Sequence, residues 1–167
     1  MQKSLKQRFL RMVNDYHGLI NSICRMYSKG SNFEDLRQDV LLQLWRAYPN
    51  FRGESTAKTW IYRVCLNTIL AKRRDDSRRP KYVAMDEDTS SQAASLPFSD
   101  DHLQQLHFLI QQLSDLDNAI TLLHLEGYAH KEIAEILQLT PTNVSTRFNR
   151  IKSKLKKMYK RMTYGME

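Results

Sequence analysis

Hydrophobic residues in the first third of the chain recur at the spacing of amphipathic helices, which turn one apolar face toward a core. Two sets lie three to four residues apart: Leu5, Phe9 and Met12, then Leu19, Ile23 and Met26. The segment KGSN at 29–32 interrupts the pattern, and Asn32 followed by Asp35 predicts a new helix start. This third helix is predicted over roughly 33–48, ending before Pro49.

A fourth helix follows the Gly-containing turn in FRGESTAKTWIYRVCLNTILAKRR, residues 51–74. Its apolar residues occupy more than one face, and those predicted to face a helical bundle are Ala57, Ile61, Val64, Cys65 and Thr68. The other side carries Thr59, Arg63, Asn67 and Arg74, with Trp60 and Tyr62 on its flanks. A helix that only packs has no need of this polar stripe, which therefore predicts a binding surface.

Composition changes between residues 77 and 101, where Pro, Ser, Asp and Ala replace the helical periodicity. Periodicity resumes at 102 and continues to about 161, and the chain contains no internal repeat. We therefore predict an all-α protein of two small domains: a four-helix N-terminal domain over 1–76, a flexible linker over 77–101, and a C-terminal domain over 102–167.

The C-terminal segment HKEIAEILQLTPTNVSTRFNRIKSKLKK has the form of a helix-turn-helix. Its first helix has Ile133, Ala134 and Leu137 on its buried side, and the second has Val144, Phe148, Ile151 and Leu155. Thr140 is a favourable N-cap before Pro141 at the first helical position. Two positions depart from the usual pattern, because Gln138 stands where Gly is common and Ala129 where a capping Ser or Thr is common.

The outward side of the second helix defines a predicted reading face, made of Thr142, Asn143, Ser145, Thr146, Arg147 and Arg150. Short polar and basic side chains of this kind contact base edges and phosphates in a major groove. The helix continues through six Lys and Arg residues, and no acidic residue lies between 136 and 166. A helical hairpin with a solvated lysine face is the alternative interpretation.

A different surface is predicted on the third helix, where the core positions are Phe33, Leu36, Val40, Leu44 and Tyr48. Away from that core lies a docking face, made of Asp35, Gln38, Asp39, Leu42 and Trp45. Exposed apolar side chains among carboxylates are typical of protein-binding surfaces. The alternative is that Leu42 and Trp45 cover the N-terminal helices.

Charge and residue type narrow the classes of function. With 26 Lys and Arg against 18 Asp and Glu, the net charge of +8 points to a polyanion, nucleic acid before a membrane surface. Cys24 and Cys65 lack CxxC spacing and are expected to be buried thiols. The five His stand singly and no phosphate-binding glycine loop occurs, so we expect no metal, no cofactor and no catalytic residue. Without a signal peptide or a run of about 18 apolar residues, we expect a cytoplasmic protein with no membrane insertion.

The fourth helix and its preceding turn suit unpaired bases. Aromatic residues interleaved with Arg and Asn provide stacking and hydrogen-bonding partners, and the turn at Phe51–Ser55 offers backbone donors beside Gly53. Trp60 has two open interpretations, a stacking surface for a base or an ordinary core residue.

FEDLRQDVLLQLWRAYPNFRGESTAKTWIYRVCLNTILAKRR, followed by a linker and LEGYAHKEIAEILQLTPTNVSTRFNRIKSKLKK, resembles extracytoplasmic-function sigma factors of bacterial RNA polymerase. The resemblance implies polymerase core and promoter DNA as partners, and the family often has an anti-sigma partner. It implies that the docking face binds the polymerase clamp helices and that the reading face contacts the minus-thirty-five element. It also implies that the melted minus-ten strand is captured by Arg52, Gly53, Glu54, Ser55, Thr56, Lys58, Trp60, Arg63 and Asn67.

Two rival functions remain open at this point. A regulator that binds duplex DNA as a homodimer accounts for the helix-turn-helix, but it leaves the docking face and the polar stripe unexplained. A nucleic-acid enzyme finds no supporting motif in the sequence.

Overall fold

The computed structural model describes residues 4–28, 32–78 and 101–164. All the regular secondary structure in these residues is helical. The chain divides into two compact units, 1–94 and 95–167. The predicted all-α class with two helical domains is confirmed. Helix α4 ends at Arg78 and α5 begins at Asp101, so residues 77, 78 and 101 of the predicted linker are helical. Residues 79–100 lie outside the described part of the chain, and the linker and exact domain boundaries stay predictions.

Within its described residues, the first unit contains four α-helices, α1 (Leu5–Asp15), α2 (His17–Tyr27), α3 (Phe33–Ala47) and α4 (Ala57–Arg78), with a short 3-10 helix over Tyr48–Asn50. A reciprocal cap starts α1, where the backbone N–H of Gln7 donates to Ser4 Oγ and that of Ser4 donates to Gln7 Oε1. Helices α2, α3 and α4 pack together, and their buried residues include Ile20, Ile23, Leu36, Val40, Leu44, Ile61, Cys65 and Ile69. Of the predicted core positions of the third helix, Leu36, Val40 and Leu44 are confirmed as buried, whereas Phe33 and Tyr48 are only half-buried.

The predicted buried face of α2 is partly wrong. Leu19 and Met26 are only half-buried, whereas Ile20, Cys24 and Tyr27 join Ile23 in the core. The buried face of α2 is displaced by one residue from the predicted one. Both α3 and α4 pack on α2, and two neighbouring helices bury a wider strip of its surface than one would.

The second unit contains α5 (Asp101–Gln111), α6 (Asp115–Leu125), α7 (His130–Leu137) and α8 (Pro141–Tyr164). Helix α8 packs against the other three through Val144 and Ile151, which are buried. The opposing core is formed by Ala119, Ile120, Leu123, Ile133, Ile136 and Leu137.

The turn between α7 and α8 accommodates both unusual residues. Gln138 adopts a left-handed conformation (φ 57°, ψ 44°), which costs a residue with a side chain roughly 1–2 kcal/mol. Ala129 offers no capping oxygen, but Glu132 Oε2 accepts a hydrogen bond from the Ala129 N–H at 2.7 Å. Thr140 Oγ1 caps α8 by accepting from the Asn143 N–H at 3.2 Å, as predicted. The helix-turn-helix therefore forms without Gly at its turn.

Candidate nucleic-acid and protein interfaces

The docking face lies on the outer side of α3. Asp35 and Gln38 are exposed, and Leu42 and Trp45 are 46% and 39% exposed. Asp39 is half-buried and forms an ion pair with Lys72 of α4. Four of the five residues are therefore open to a partner, while Asp39 also ties two helices together.

Trp45 covers part of the N-terminal helix α1 and is also partly exposed, so each of its two interpretations describes part of its surroundings. Its ring meets the ring of Phe9 edge to face, with centroids 4.9 Å apart, so it does cover α1. The remaining exposed part of the indole lies on the same helix face as Leu42. An aromatic side chain that is held by packing and still exposed can contact a partner with little loss of conformational entropy.

Trp60 lies inside an aromatic cluster that joins the 3-10 helix to α4. Its ring centroid is 4.9 Å from that of Phe51 and 6.2 Å from that of Tyr48, and Phe9 lies 5.3 Å from Tyr48. Trp60 is only 8% exposed. Of the two interpretations of Trp60, the structure favours a core residue over a stacking surface for a base, because its ring packs against Phe51 and Tyr48. Tyr62, placed on a flank of the polar stripe, is also buried.

A capture loop, residues 52–56, connects this cluster to α4. Arg52, Gly53 and Glu54 are exposed, and Gly53 has a positive φ of 75°, a conformation that side chains disfavour. The loop is held at its end by Thr56, whose Oγ1 accepts from the Thr59 N–H at 3.1 Å. Phe51 holds its start through contact with Trp60. The loop is therefore exposed but fixed at both ends.

The polar stripe of α4 follows directly after the loop. Lys58 is exposed, while Thr59, Arg63 and Asn67 are half-buried. Arg63 Nε is buried and has no hydrogen-bond partner among the described residues. The hydrogen-bonding capacity of this buried N–H is therefore unused in the structure. Arg74 lies about two helical turns beyond Asn67 and is exposed.

The reading face forms a shallow groove on α8, lined by Thr140, Thr142, Asn143, Thr146, Arg147 and Arg150. Five of the six predicted residues are therefore brought together. Ser145 is not among them, since it is half-buried and its Oγ shares a hydrogen bond with His130 Nδ1 at 3.0 Å. This expectation is corrected: Ser145 joins α8 to α7 instead of facing outward.

Arg147 is held by two neighbours within the second unit. Its Nη1 lies 2.9 Å from Asp117 Oδ1 of α6, and its Nε donates to Asn143 Oδ1 at 3.0 Å. The His130 ring also contacts Phe148 of α8, with centroids 5.1 Å apart. The roles of Asp117 and His130 could not be predicted from the sequence, because they lie 30 and 15 residues from the partners Arg147 and Ser145 and leave no local pattern.

The two cysteines lie in the core of the first unit. Burial raises the pKa of the Cys24 thiol to about 11 and also raises that of Cys65, so both remain protonated at neutral pH. No group of His, Cys, Asp and Glu in the described ranges is arranged to hold a metal ion. Among the described helices, none has the length and apolar character of a membrane span.

Two family models match this chain, one in each half. The family model for Sigma-70 region 2 matches residues 12–79, and the model for Sigma-70, region 4 matches residues 103–155. The RNA polymerase sigma-H factor of Pseudomonas aeruginosa is 29% identical over 94% of this chain and 89% of its own length. The ECF RNA polymerase sigma-E factor of Escherichia coli is 30% identical over 90% of this chain and 85% of its own.

Solved structures share the fold. The sigma factor RpoE from Bartonella quintana, solved in complex with the anti-sigma factor NepR, has a TM-score of 0.61 at 21% identity and covers 93% of this chain and 96% of that one. CnrH in complex with the cytosolic domain of CnrY has a TM-score of 0.58 at 17% identity and covers 92% and 88%.

Proposed function

Because this chain belongs to the extracytoplasmic-function group of sigma-70 factors, we propose that it binds RNA polymerase core and directs promoter-specific transcription initiation through three separate surfaces. The observation that carries the proposal is that each unit presents a binding surface suited to its family region. The unit matching region 2 has a capture loop with an adjoining polar stripe, and the unit matching region 4 has a groove-shaped reading face.

Polymerase core is the proposed partner of the docking face. Asp35 and Gln38 supply polar contacts, and Leu42 and Trp45 supply exposed apolar area. In a chain with a net charge of +8, exposed acids beside apolar side chains favour a basic protein surface over DNA. Asp39 contributes to the same surface while paired with Lys72.

Melted minus-ten DNA is the proposed ligand of the capture loop and the polar stripe. Arg52, Lys58 and Arg63 bring positive charge, and Asn67 brings an amide to the same side of α4. Gly53, Glu54, Ser55 and Thr56 form the loop that holds an extruded base. Trp60 acts indirectly in this proposal, by keeping Phe51 and the loop in place.

Duplex minus-thirty-five DNA is the proposed ligand of the reading face. Asn143 and Arg147 are side-chain types that read base edges in a major groove, and Thr142 and Thr146 supply hydroxyls beside them. Arg150 lies one turn further along α8, where the helix becomes strongly basic and favours phosphate. Ser145 supports this surface through His130.

Magnitudes favour a polymerase partner over independent action. Separating DNA strands costs on the order of 1.4 kcal/mol for each base-pair step. A stacked base returns roughly 1–3 kcal/mol. One capture loop therefore recovers too little to open several base pairs, and the rest must come from the larger complex. An anti-sigma protein is a further proposed partner, since one solved neighbour is bound to NepR.

Arg147→Ala is expected to weaken binding of the preferred upstream duplex by roughly 1–3 kcal/mol, or about 5- to 150-fold, while changing non-specific binding little. Arg150→Ala is expected to weaken all duplexes similarly and to reduce the slope of affinity against salt by about one. Competition binding of holoenzyme to upstream duplexes at several salt concentrations measures both effects. Equal losses on every sequence for Arg147→Ala would make that residue a phosphate contact only.

A duplex-binding regulator remains the second candidate, because the groove on α8 could serve it equally well. The purified chain mixed with polymerase core distinguishes the two functions. Co-elution with core and transcription from a defined start support the sigma-factor function. Stable homodimer binding to a palindromic duplex with no affinity for core would favour the regulator.

A further inference from the structure

The position of Arg147 is set by a residue outside the reading face. Asp117 is the third residue of α6, and its side chain is 23% exposed beside the 37% exposed side chain of Arg147. Its backbone is fixed on both sides, since its N–H donates to Ser114 Oγ at 3.3 Å and its carbonyl accepts from Thr121 Oγ1 at 2.8 Å. The carboxylate is therefore presented from a rigid helix start.

The two hydrogen bonds of Arg147 fix its guanidinium plane. Nη1 donates a hydrogen bond to Asp117 at 2.9 Å and Nε donates one to Asn143 at 3.0 Å, so the guanidinium group is held through two of its nitrogens. A guanidinium carries five N–H donors, and those not bound to Asp117 or Asn143 stay available to an acceptor in the groove. Arginine loses less entropy on binding when its plane is already oriented.

We propose that Asp117 is a positioning residue that sets the sequence specificity of Arg147, an inference that rests on the proposed reading of the minus-thirty-five element. Held by the carboxylate, the guanidinium is directed at a base edge, where orientation decides which base is accepted. Released from it, the same long side chain can turn to the nearest phosphate, which attracts it whatever the sequence.

The test uses Asp117→Asn in the full chain, assembled with polymerase core, on a library of duplexes randomised in the upstream element. The preferred duplex selected by the wild type and a scrambled duplex are then the two probes. We expect the ratio of the two affinities to drop by roughly 5- to 30-fold, the size of coupling seen between contacting charged residues. Most of the change should come from tighter binding of the scrambled duplex, with a steeper salt dependence.

A double-mutant cycle separates positioning from a general charge effect. In an Arg147→Ala background, Asp117→Asn should leave the affinity ratio unchanged, because no guanidinium remains to position. Glu135→Gln is the matched control, since it removes one negative charge from an exposed position on α7 and is expected to leave the ratio at the wild-type value. Thermal unfolding verifies that each variant is folded.

The outcomes are distinguishable. If the wild type selects a preferred duplex and Asp117→Asn keeps the same ratio, the positioning role is wrong and the proposed function stands. A fall in ratio that is as large for Glu135→Gln, or that persists without Arg147, would also overturn it. If the wild type selects no upstream sequence at all, the proposed minus-thirty-five reading itself fails.

Discussion

Changing Asp35 to Lys together with Leu42 to Ala is expected to lower the affinity of this chain for polymerase core by roughly 30- to 1,000-fold. Truncating one buried anchor of an interface typically costs about 2 kcal/mol or more, and placing like charges together costs several kcal/mol. Leu42 is 46% exposed and Asp35 is exposed, so both are open to a partner in the free protein. Titration of labelled chain with polymerase core measures the loss.

The fold should survive this pair of changes, because exposed substitutions usually alter stability by within about 0.5 kcal/mol. Asp39 is left intact, since its ion pair with Lys72 connects α3 to α4. Asp75→Lys, an equal charge reversal at an exposed position on α4, serves as the control and should bind core as tightly as the wild type. If the double variant bound polymerase core as tightly as the wild type, the docking face would not be the surface that binds polymerase.

Trp60→Ala is expected to lower the free energy of unfolding of the first unit by roughly 3–5 kcal/mol, the usual cost of truncating a large aromatic residue in a core. Trp60 is 8% exposed and its ring contacts Phe51 and Tyr48, so its loss opens a cavity beneath the capture loop. Urea unfolding followed by circular dichroism measures the change.

Trp60→Phe distinguishes support of the loop from base stacking. A Phe ring retains part of the aromatic contact, so we expect a smaller stability loss than for Ala and largely retained promoter opening. If Trp60→Ala left stability unchanged and still abolished promoter opening, the indole would be contacting DNA after all. The interpretation of Trp60 as a core residue that supports the loop would then be wrong.

The helices and the helix-turn-helix could be predicted from the sequence because their signals are local. Thr140 and Pro141 mark the start of α8, and the apolar spacing from Leu36 to Leu44 marks the buried face of α3. The face of α2 was misplaced by one residue because enclosure by two helices depends on tertiary packing. Local periodicity specifies a helix, but its neighbours decide how much of it is buried.

Site residues could be predicted only where polar residues at helical spacing share one exposed face of a single helix. The groove on α8 follows from residues at helical spacing, whereas the Asp117–Arg147 and His130–Ser145 contacts join separate helices. Trp60 remained ambiguous because α4 is apolar around most of its circumference, so periodicity leaves more than one direction for the core. Only the ring contacts with Phe51 and Tyr48 resolve its position.

The most direct test measures strand separation at a promoter that this chain uses. Such a promoter is identified by mapping transcription starts after the chain is overproduced. A 2-aminopurine placed in the minus-ten strand reports unstacking in real time. We predict a rise in fluorescence only when the chain and polymerase core are both present. The Arg63→Ala/Asn67→Ala variant, once shown to be folded and to bind core, should give a strongly reduced rise. Opening by the chain alone, or full opening with both side chains removed, would contradict this prediction.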